Sequence, residues 1–296
     1  MEKITCEKFL DEINVQYPKN DLIKELGRKI GLFENDGKVI EVNFNRGALL
    51  YALISKYKPK HVLEFGTGGG FSTMFMAWAM VDNDIDGTIF SIDQFDSKES
   101  LKRPIDWNDG NGIVMETISN VELWKKAVPA KWLSKIKILT GYSSQIMTKE
   151  KFPKIDFAYI DGAHFYEGVK YDFYSFLKNS NKDFRVLFDD YIDRPWYGVK
   201  KLIDGEVSKL FDVKLIETDN EHYFYKNGIT NDINYGMCLI DSDTLKVSKN
   251  EIIDSKIEEE LKNYLKFEKR LRLRNSLNKK VPFLKNHRLK WWKKSN

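Results

Sequence analysis

Short apolar runs alternate with longer amphipathic stretches through the middle of the chain. Each run is followed by a polar residue or a glycine, as expected of strands that end at a loop. The predicted strands are 61–65, 88–92, 135–140, 155–160, 184–188, 213–217 and 235–240. The predicted helices between them are 71–81, 165–177 and 196–210. Strands that alternate with helices predict an α/β fold, in which a mostly parallel sheet carries helices on both faces.

The chain divides into three predicted segments, and the alternation lies in the middle one. Residues 1–58 predict an N-terminal helical segment, residues 59–245 the main domain, and residues 246–296 a C-terminal helix followed by a basic tail. Inside the main domain, residues 97–129 are long for the connection between two strands. A long loop at the strand ends of an α/β sheet is often a lid or a substrate-binding element. We therefore expect one of these roles for the insert around Trp107, and a surface loop without a role is the alternative.

The charge of the chain is unevenly distributed. The net charge is +4, but the segment from Leu261 to Asn296 contains thirteen Lys/Arg residues and a single acid, Glu268. A basic tail on a mildly acidic body suggests an anionic partner for the tail. Tryptophans beside lysines, at Trp291 and Trp292, suit an anionic membrane surface. The alternatives are packing on the body or on a second copy in a homo-oligomer and, less favoured, nucleic acid.

Cysteine usage and the absence of long apolar runs indicate the compartment. The two cysteines, Cys6 and Cys238, have no neighbours at the spacing of metal ligands. A zinc site or a disulfide framework is therefore not expected, which fits a reducing compartment. The N-terminus lacks the apolar core of a secretory signal, and no apolar run approaches the length of a membrane span. We expect a cytoplasmic protein, held peripherally at a membrane if the tail binds lipid.

The most informative stretch is H-V-L-E-F-G-T-G-G-G-F-S at residues 61–72. A strand, a tight glycine loop and a helix in this order form a nucleotide-handling unit, because glycines let the backbone turn sharply against a ligand. The glycines of Gly66–Gly70 are spaced G-x-G-x-G, and Phe71 stands where a dinucleotide site has its last glycine. Glu64 would repel a pyrophosphate but tolerates a cationic ligand such as a sulfonium.

Other strand ends supply groups for an adenosine ligand. Ligands of open parallel sheets bind beyond the carboxyl ends of the strands. Asp93 ends its strand and can accept both hydroxyls of a ribose, with Gln94 beside it. Ser143 and Ser144 follow the next strand and place small hydrogen-bonding groups near an adenine. Capping of the following helix is the alternative interpretation of these serines.

Three acids and one histidine mark two neighbouring strand ends. Asp161 ends one strand and Asp189 and Asp190 end the next, and adjacent strands lie about 5 Å apart, so their carboxylates meet at one edge. Acids so close repel unless a cation neutralises them, and all-oxygen ligation suits Mg²⁺ or Ca²⁺. His164 follows closely and can accept a proton from a hydroxyl. Helix capping by the aspartates and a buried, hydrogen-bonded histidine are the alternatives.

These motifs together resemble those of the class I S-adenosylmethionine (SAM) methyltransferases. The segments I-D-F-A-Y-I-D-G-A-H and V-L-F-D-D-Y are similar to the macrocin-type and, more distantly, the catechol-type O-methyltransferases. The resemblance covers about residues 45–240 and implies a Rossmann-like, doubly wound sheet of seven strands, mostly parallel, with an antiparallel final strand. It implies a SAM-dependent enzyme that methylates a hydroxyl of a small molecule, either a sugar or a natural-product intermediate.

The resemblance also implies roles for individual residues. The expected SAM contacts are Glu64, Gly66, Thr67, Gly68, Ser72, Asp93, Gln94, Ser143 and Asp161. The expected Mg²⁺ ligands are Asp161, Asp189 and Asp190, and the expected catalytic residues are His164, as the base, and Asp161. Three hypotheses compete with this one: methylation of RNA or protein, a non-catalytic SAM-fold module anchored by its tail, and a nicotinamide oxidoreductase. The glycine spacing disfavours the last of these.

Overall fold

The computed structural model of the chain describes residues 1–35, 37–193, 197–218, 221–224, 230–233, 236–246 and 257–280. The strands, numbered in chain order, are β1 (Glu2–Thr5), β2 (Phe33–Asn35), β3 (Lys38–Ile40), β4 (His61–Phe65), β5 (Thr88–Asp93), β6 (Ser100–Asp106), β7 (Ile113–Ser119), β8 (Ile136–Thr140), β9 (Ile155–Ile160), β10 (Ser180–Tyr191), β11 (Val213–Glu217), β12 (Glu221–Phe224), β13 (Thr230–Ile233) and β14 (Gly236–Asp241). The helices are α1 (Cys6–Ile13), α2 (Asn20–Ile30), α3 (Phe44–Tyr57), α4 (Phe71–Asp82), α5 (Asn120–Ala127), α6 (Ala130–Leu133), α7 (Ser143–Lys149), α8 (Tyr166–Asn179), α9 (Val199–Leu202), α10 (Ser208–Leu210) and α11 (Glu258–Lys280). A π-helical turn (Ile203–Val207) joins α9 to α10.

The main sheet has eight strands in the order β1-β11-β14-β10-β9-β4-β5-β8. Neighbours in this sheet are parallel except at β14, which runs antiparallel to both β10 and β11. The predicted α/β fold and the antiparallel last strand are thus confirmed. The strand count is eight instead of seven, because Glu2–Thr5 adds an edge strand beside β11. Within β1 only Ile4 is buried, and so short a pattern does not distinguish a strand from the helix predicted there.

Two apolar cores lie on opposite faces of this sheet. Successive residues of β9 alternate between them: Phe157 and Tyr159 belong to one core, and Ala158 and Ile160 to the other. Helices α1 to α4 cover the first face, and α8 to α10 cover the second. Because both faces are buried, the parallel strands are mainly apolar, and many polar side chains collect where the strands end.

The N-terminal segment and the insert contain strands that the sequence did not predict. Besides α1, α2 and α3, residues 1–58 include β1 and the hairpin of β2 and β3. The insert 97–129 contains a second hairpin, of β6 and β7, followed by α5. Each hairpin is a separate two-stranded sheet in which exposed residues outnumber buried ones, and a strand with a single hydrogen-bonded neighbour tolerates Pro104. Trp107 lies just after β6 and donates a hydrogen bond to Glu116 of β7 (2.6 Å).

Helix α11 packs against α8 along its first three turns. Ile257, immediately before the helix, is buried in the second core. The ring of Tyr264 stacks on that of Tyr171 with centroids 4.5 Å apart, and Glu260 pairs with Lys170 at 2.9 Å. The start of the C-terminal segment therefore belongs to the folded body, as in the packing alternative.

Residues 281–296, with both tryptophans of the tail, lie outside the described residues. The membrane-binding role of the tail stays a prediction. Among the described helices, none is long and apolar enough to cross a bilayer.

A chain that ends at Lys280 is expected to be as stable as the full chain, because α11 is retained. A chain that ends at Asn250 loses the buried Ile257 and the ring of Tyr264, so its free energy of unfolding should fall by about 2–4 kcal/mol. Urea denaturation followed by circular dichroism compares the three chains. Equal stability of the two truncated chains would show that α11 contributes nothing to the fold.

Candidate active site

The loop between β4 and α4 is built from glycines in conformations that other residues avoid. Gly66, Gly68 and Gly70 have φ angles of +93°, +52° and +92°, all in the left-handed region. A Cβ atom on Gly66 would lie 2.1 Å from the carbonyl oxygen of Asp161. The loop therefore lies directly against the end of β9, beside Asp161, the predicted catalytic carboxylate.

Asp93, at the end of β5, holds this loop in place. Its Oδ2 accepts hydrogen bonds from the backbone N–H groups of Thr67 (3.0 Å) and Gly68 (2.8 Å). Its Oδ1 accepts one from the N–H of Phe95 (2.9 Å). A carboxylate has about four acceptor positions, so a ribose hydroxyl can still be bound, and that role stays a prediction. Gln94, the other residue predicted here, is exposed.

Glu64 of β4 lies beneath the loop and is completely buried. Its Oε2 accepts hydrogen bonds from the hydroxyls of Thr73 (2.6 Å) and Ser91 (2.5 Å), whereas Oε1 has no partner among the described residues. Burial raises the pKa of Glu64 to about 8. A buried acid with an unsatisfied oxygen fits a cationic ligand nearby, while direct contact with SAM stays a prediction.

Helix α5 of the insert contacts the same glycine loop. The side-chain amide of Asn120 donates to the carbonyl of Gly68 (2.8 Å), and the indole N–H of Trp124 donates to that of Gly69 (2.8 Å). A capping box between Ser119 and Glu122 fixes the start of this helix. The sequence analysis missed both contacts. The Ser-x-x-Glu spacing could have located the helix, although not its target.

The carboxylates predicted from the strand ends do meet at one edge of the sheet, and an arginine joins them. The hydroxyl of Tyr159 donates to Oδ2 of Asp189 over 2.7 Å. Arg46, in the first turn of α3, places Nη2 2.7 Å from the same oxygen and Nη1 3.6 Å from Oδ2 of Asp161. Burial raises the pKa of both Asp161 and Asp189, repulsion between the carboxylates adds to this shift, and Arg46 opposes it. Neither Arg46 nor Tyr159 was among the predicted site residues.

Asp190 lies beside this group and binds His164. Its backbone has a φ of +55°, which is uncommon for a residue with a side chain. Its Oδ2 lies 2.5 Å from Nδ1 of His164. This hydrogen bond is the main reason that the pKa of His164 is raised to about 9, and burial acts in the opposite direction. The side chain of His164 is 45% exposed, so the ring is open to a molecule from solution.

The predicted Mg²⁺ ligands fit a metal only in part. The side chain of Asp189 is only 4% exposed and already faces a cation, since Oδ2 lies 2.7 Å from the Arg46 guanidinium, and Oδ1 accepts the N–H of Asp190 (2.9 Å). Ligand atoms of Asp161, His164 and Asp190 instead lie within 4.8 Å of one another. This second group includes a nitrogen, whereas Mg²⁺ prefers oxygen. Asp189 therefore does not fit the predicted role of a metal ligand, and a Mg²⁺ requirement stays a prediction.

The two remaining predicted serines lie at the starts of helices along the same edge. Ser72, in the first turn of α4, is buried and lies near the hydroxyl of Tyr159. Ser143, the first residue of α7, lies near Asp172 of α8, whose pKa is raised to about 7 by burial. Their contacts with SAM stay predictions.

Comparison with known proteins agrees with this fold. Residues 63–191 match the family model described as a methyltransferase domain. The O-methyltransferase TomG from Streptomyces achromogenes, involved in tomaymycin synthesis and solved with SAM, is 16% identical with a TM-score of 0.50, covering 79% of this chain and 94% of that one. The O-methyltransferase from Bacillus cereus, solved with S-adenosylhomocysteine, is 16% identical with a TM-score of 0.50, covering 79% and 96%. None of the curated proteins matches the sequence.

Residues 63–191 thus resemble a methyltransferase domain, and the chain has the fold of the similar O-methyltransferase structures. Both findings agree with the family predicted from the motifs. The matched residues begin in β4 and end with β10, so they include the glycine loop, Asp93 and the three carboxylates. They do not include Arg46.

Proposed function

We propose that the protein is a SAM-dependent O-methyltransferase that methylates a hydroxyl group of a small molecule, such as a sugar or a natural-product intermediate. The observation that carries this proposal is the position of the His164–Asp190 pair at the same sheet edge as the Gly66–Gly70 loop. A cofactor loop and a candidate base are therefore neighbours. The similar structures are both described as O-methyltransferases, which supports oxygen as the acceptor atom.

The residues around the loop suit SAM. When bound, SAM supplies a methyl group attached to a positively charged sulfur. The unsatisfied Oε1 of Glu64 and the carboxylates beyond β9 and β10 favour a positive charge at this edge. Asp93 holds the loop through Thr67 and Gly68 and has acceptor capacity left for ribose hydroxyls.

His164 is the general base of the proposed reaction. Asp190 binds Nδ1 and orients the ring, so that Nε2 is the nitrogen that takes up a proton. The neutral imidazole accepts the proton of the acceptor hydroxyl while the hydroxyl oxygen bonds to the methyl carbon and the bond from that carbon to sulfur breaks. The products are a methyl ether, S-adenosylhomocysteine and a protonated histidine, whose charge Asp190 stabilises.

The charge of the edge favours a neutral acceptor. Three carboxylates, those of Asp161, Asp189 and Asp190, lie close to the base and are only partly balanced by Arg46, and this excess of acids disfavours the phosphates of a nucleic acid. RNA or protein methylation, suggested by the basic tail, remains the alternative to be tested.

Isothermal titration calorimetry with S-adenosylhomocysteine tests the cofactor part of this proposal. We expect the wild type to bind it and NAD not to bind. Asp93→Ala should weaken the affinity by about 10–150-fold, which corresponds to about 1.5–3 kcal/mol, because one carboxylate supports both the loop and the ribose. Asp96→Ala is the matched control, because the Asp96 side chain accepts the N–H of Lys98 in an exposed local turn.

Failure of the wild type to bind S-adenosylhomocysteine would contradict the proposal. Wild-type affinity in Asp93→Ala would remove Asp93 from the cofactor site. Methyl transfer is measured with methyl-labelled SAM against neutral sugars, sugar nucleotides, phenols, RNA and protein. Label in RNA or protein, with none in the small molecules, would favour the alternative.

A further inference from the structure

Arg46 reaches the carboxylates from a part of the chain that lies outside the matched domain. The side chain of Asn43 caps the N-terminus of α3, and Arg46 lies in the first turn of this helix. The helix is held closely, because a Cβ atom on Gly47 would lie 2.9 Å from the ring of Phe75 in α4. The packing of α3 on α4 therefore places the guanidinium at the ends of the central strands.

The guanidinium of Arg46 is the partner of two largely buried carboxylates. Only 18% of the Arg46 side chain is exposed. Burial alone would lower the pKa of Arg46, but the acidic groups around it, Asp189 foremost, together more than reverse this, so the pKa is raised and the group stays charged. One cation thus lies beside Asp189 and Asp161 at once. The sequence predicts that a divalent ion neutralises this cluster of carboxylates.

We propose that Arg46 is the resident cation of this edge and that Asp189 is its partner instead of a metal ligand. Asp189 in turn accepts the N–H of Asp190, and Asp190 holds His164. Arg46 is therefore a positioning residue that acts on the candidate base through two aspartates. The N-terminal segment is a part of the catalytic site, although it lies outside the methyltransferase domain.

A divalent ion and Arg46 exclude each other at Asp189. An ion on this carboxylate would bring two further positive charges next to a buried guanidinium that lies 2.7 Å from the same oxygen, and like charges in a buried site repel strongly. Removal of the guanidinium should therefore allow Asp189 to bind a metal ion, which it does not do in the wild type.

Mn²⁺ titration of the full-length protein, followed by electron paramagnetic resonance of the free ion, tests this exclusion. We expect the wild type and Asp189→Asn to bind Mn²⁺ with the same affinity. Arg46→Ala should bind it at least about 10-fold more tightly, because two acids lose their cation, and Arg46→Ala/Asp189→Asn should lose this gain. Arg46→Lys, which keeps the charge, should resemble the wild type.

Arg103→Ala is the matched control. Arg103 is a second partly buried arginine, bound to Asn120 of α5 (2.6 Å) instead of to a carboxylate, so its loss should not change Mn²⁺ affinity. Tight Mn²⁺ binding by the wild type that Asp189→Asn abolishes would overturn the proposal. So would a folded Arg46→Ala variant with wild-type Mn²⁺ affinity.

If Arg46→Ala does not fold, the comparison of the wild type with Asp189→Asn decides the question. Loss of a tight site in Asp189→Asn counts against the proposal, and equal affinity supports it. The assay needs neither SAM nor an acceptor, so its failure is distinguishable from failure of the proposed methyl transfer.

Discussion

Substitution of His164 by alanine is expected to slow methyl transfer by about 10²–10⁴-fold, the usual contribution of a general base. Affinity for S-adenosylhomocysteine should stay close to that of the wild type, because His164 is bound by Asp190 and does not support the glycine loop. The rate is measured with an acceptor found in the screen, and the affinity by calorimetry. His61→Ala, at the opposite end of β4, is the matched control. A loss of cofactor affinity as large as the loss of rate would contradict the assignment.

The pH dependence of the same histidine gives an independent measurement. Asp190 raises the pKa of His164 to about 9, and Asp161 and Asp189 act in the same direction. The basic form therefore appears as the pH rises through about 9, and the rate should rise with it. Asp190→Asn removes the main cause, so the pKa should fall towards about 6.5 and the rising limb should move to lower pH.

This titration can be followed without an acceptor. The chain contains four histidines, so NMR of histidine-labelled protein resolves each of them, and His164→Ala identifies the signal. The absence of any histidine that titrates above about pH 8 would contradict the Asp190 contact.

The second large effect is expected at Gly66. Alanine there would place its Cβ atom 2.1 Å from the carbonyl oxygen of Asp161, in a backbone with a φ of +93°. The ends of β4 and β9 would have to separate, so the free energy of unfolding should fall by about 3–5 kcal/mol, the range of severe core substitutions. Binding of S-adenosylhomocysteine should be lost with the loop geometry.

Gly68 provides the matched control for this substitution. It lies in the same loop with a φ of +52°, but a Cβ atom there would meet nothing within 4 Å. Gly68→Ala should therefore cost only the backbone strain, about 1–2 kcal/mol. Urea denaturation of both variants measures the difference, and equal losses would show that the approach of Gly66 to β9 is unimportant.

The parallel strands of the sheet are predictable because their surroundings are uniform. Both faces of β4 and β9 are buried, so each strand is a mainly apolar run that ends at the polar edge, interrupted by Glu64 in β4 and by Asp156 in β9. The sequence predicts 61–65 and 155–160, which are the observed bounds. The hairpin of β6 and β7 has no such surroundings, because both strands lie outside the main sheet and mix exposed with buried residues.

The same reasoning explains which site residues could be found. Asp93, Asp161, Asp189 and Asp190 end strands, so their shared edge follows from the alternation of strands and helices. The partner of Asp189 does not follow, because Arg46 occupies an ordinary position in the first turn of a helix far away in the sequence. Its local pattern is that of any solvated arginine, and only the packing of α3 on α4 directs it inward.

The position of β10 also dictates the order in which a newly made chain completes its catalytic edge. This strand lies in the interior of the sheet, between β14 and β9, yet the ribosome makes it after α3, α4, β4, β5, β8 and β9. A nascent chain can pack α3 against α4 and form the glycine loop before Asp189, the nearer partner of Arg46, has been made. Long-range pairings such as that of Arg46 with Asp189 form slowly. The cofactor loop, Gly66–Gly70, is thus synthesised before Asp190, the residue that orients His164.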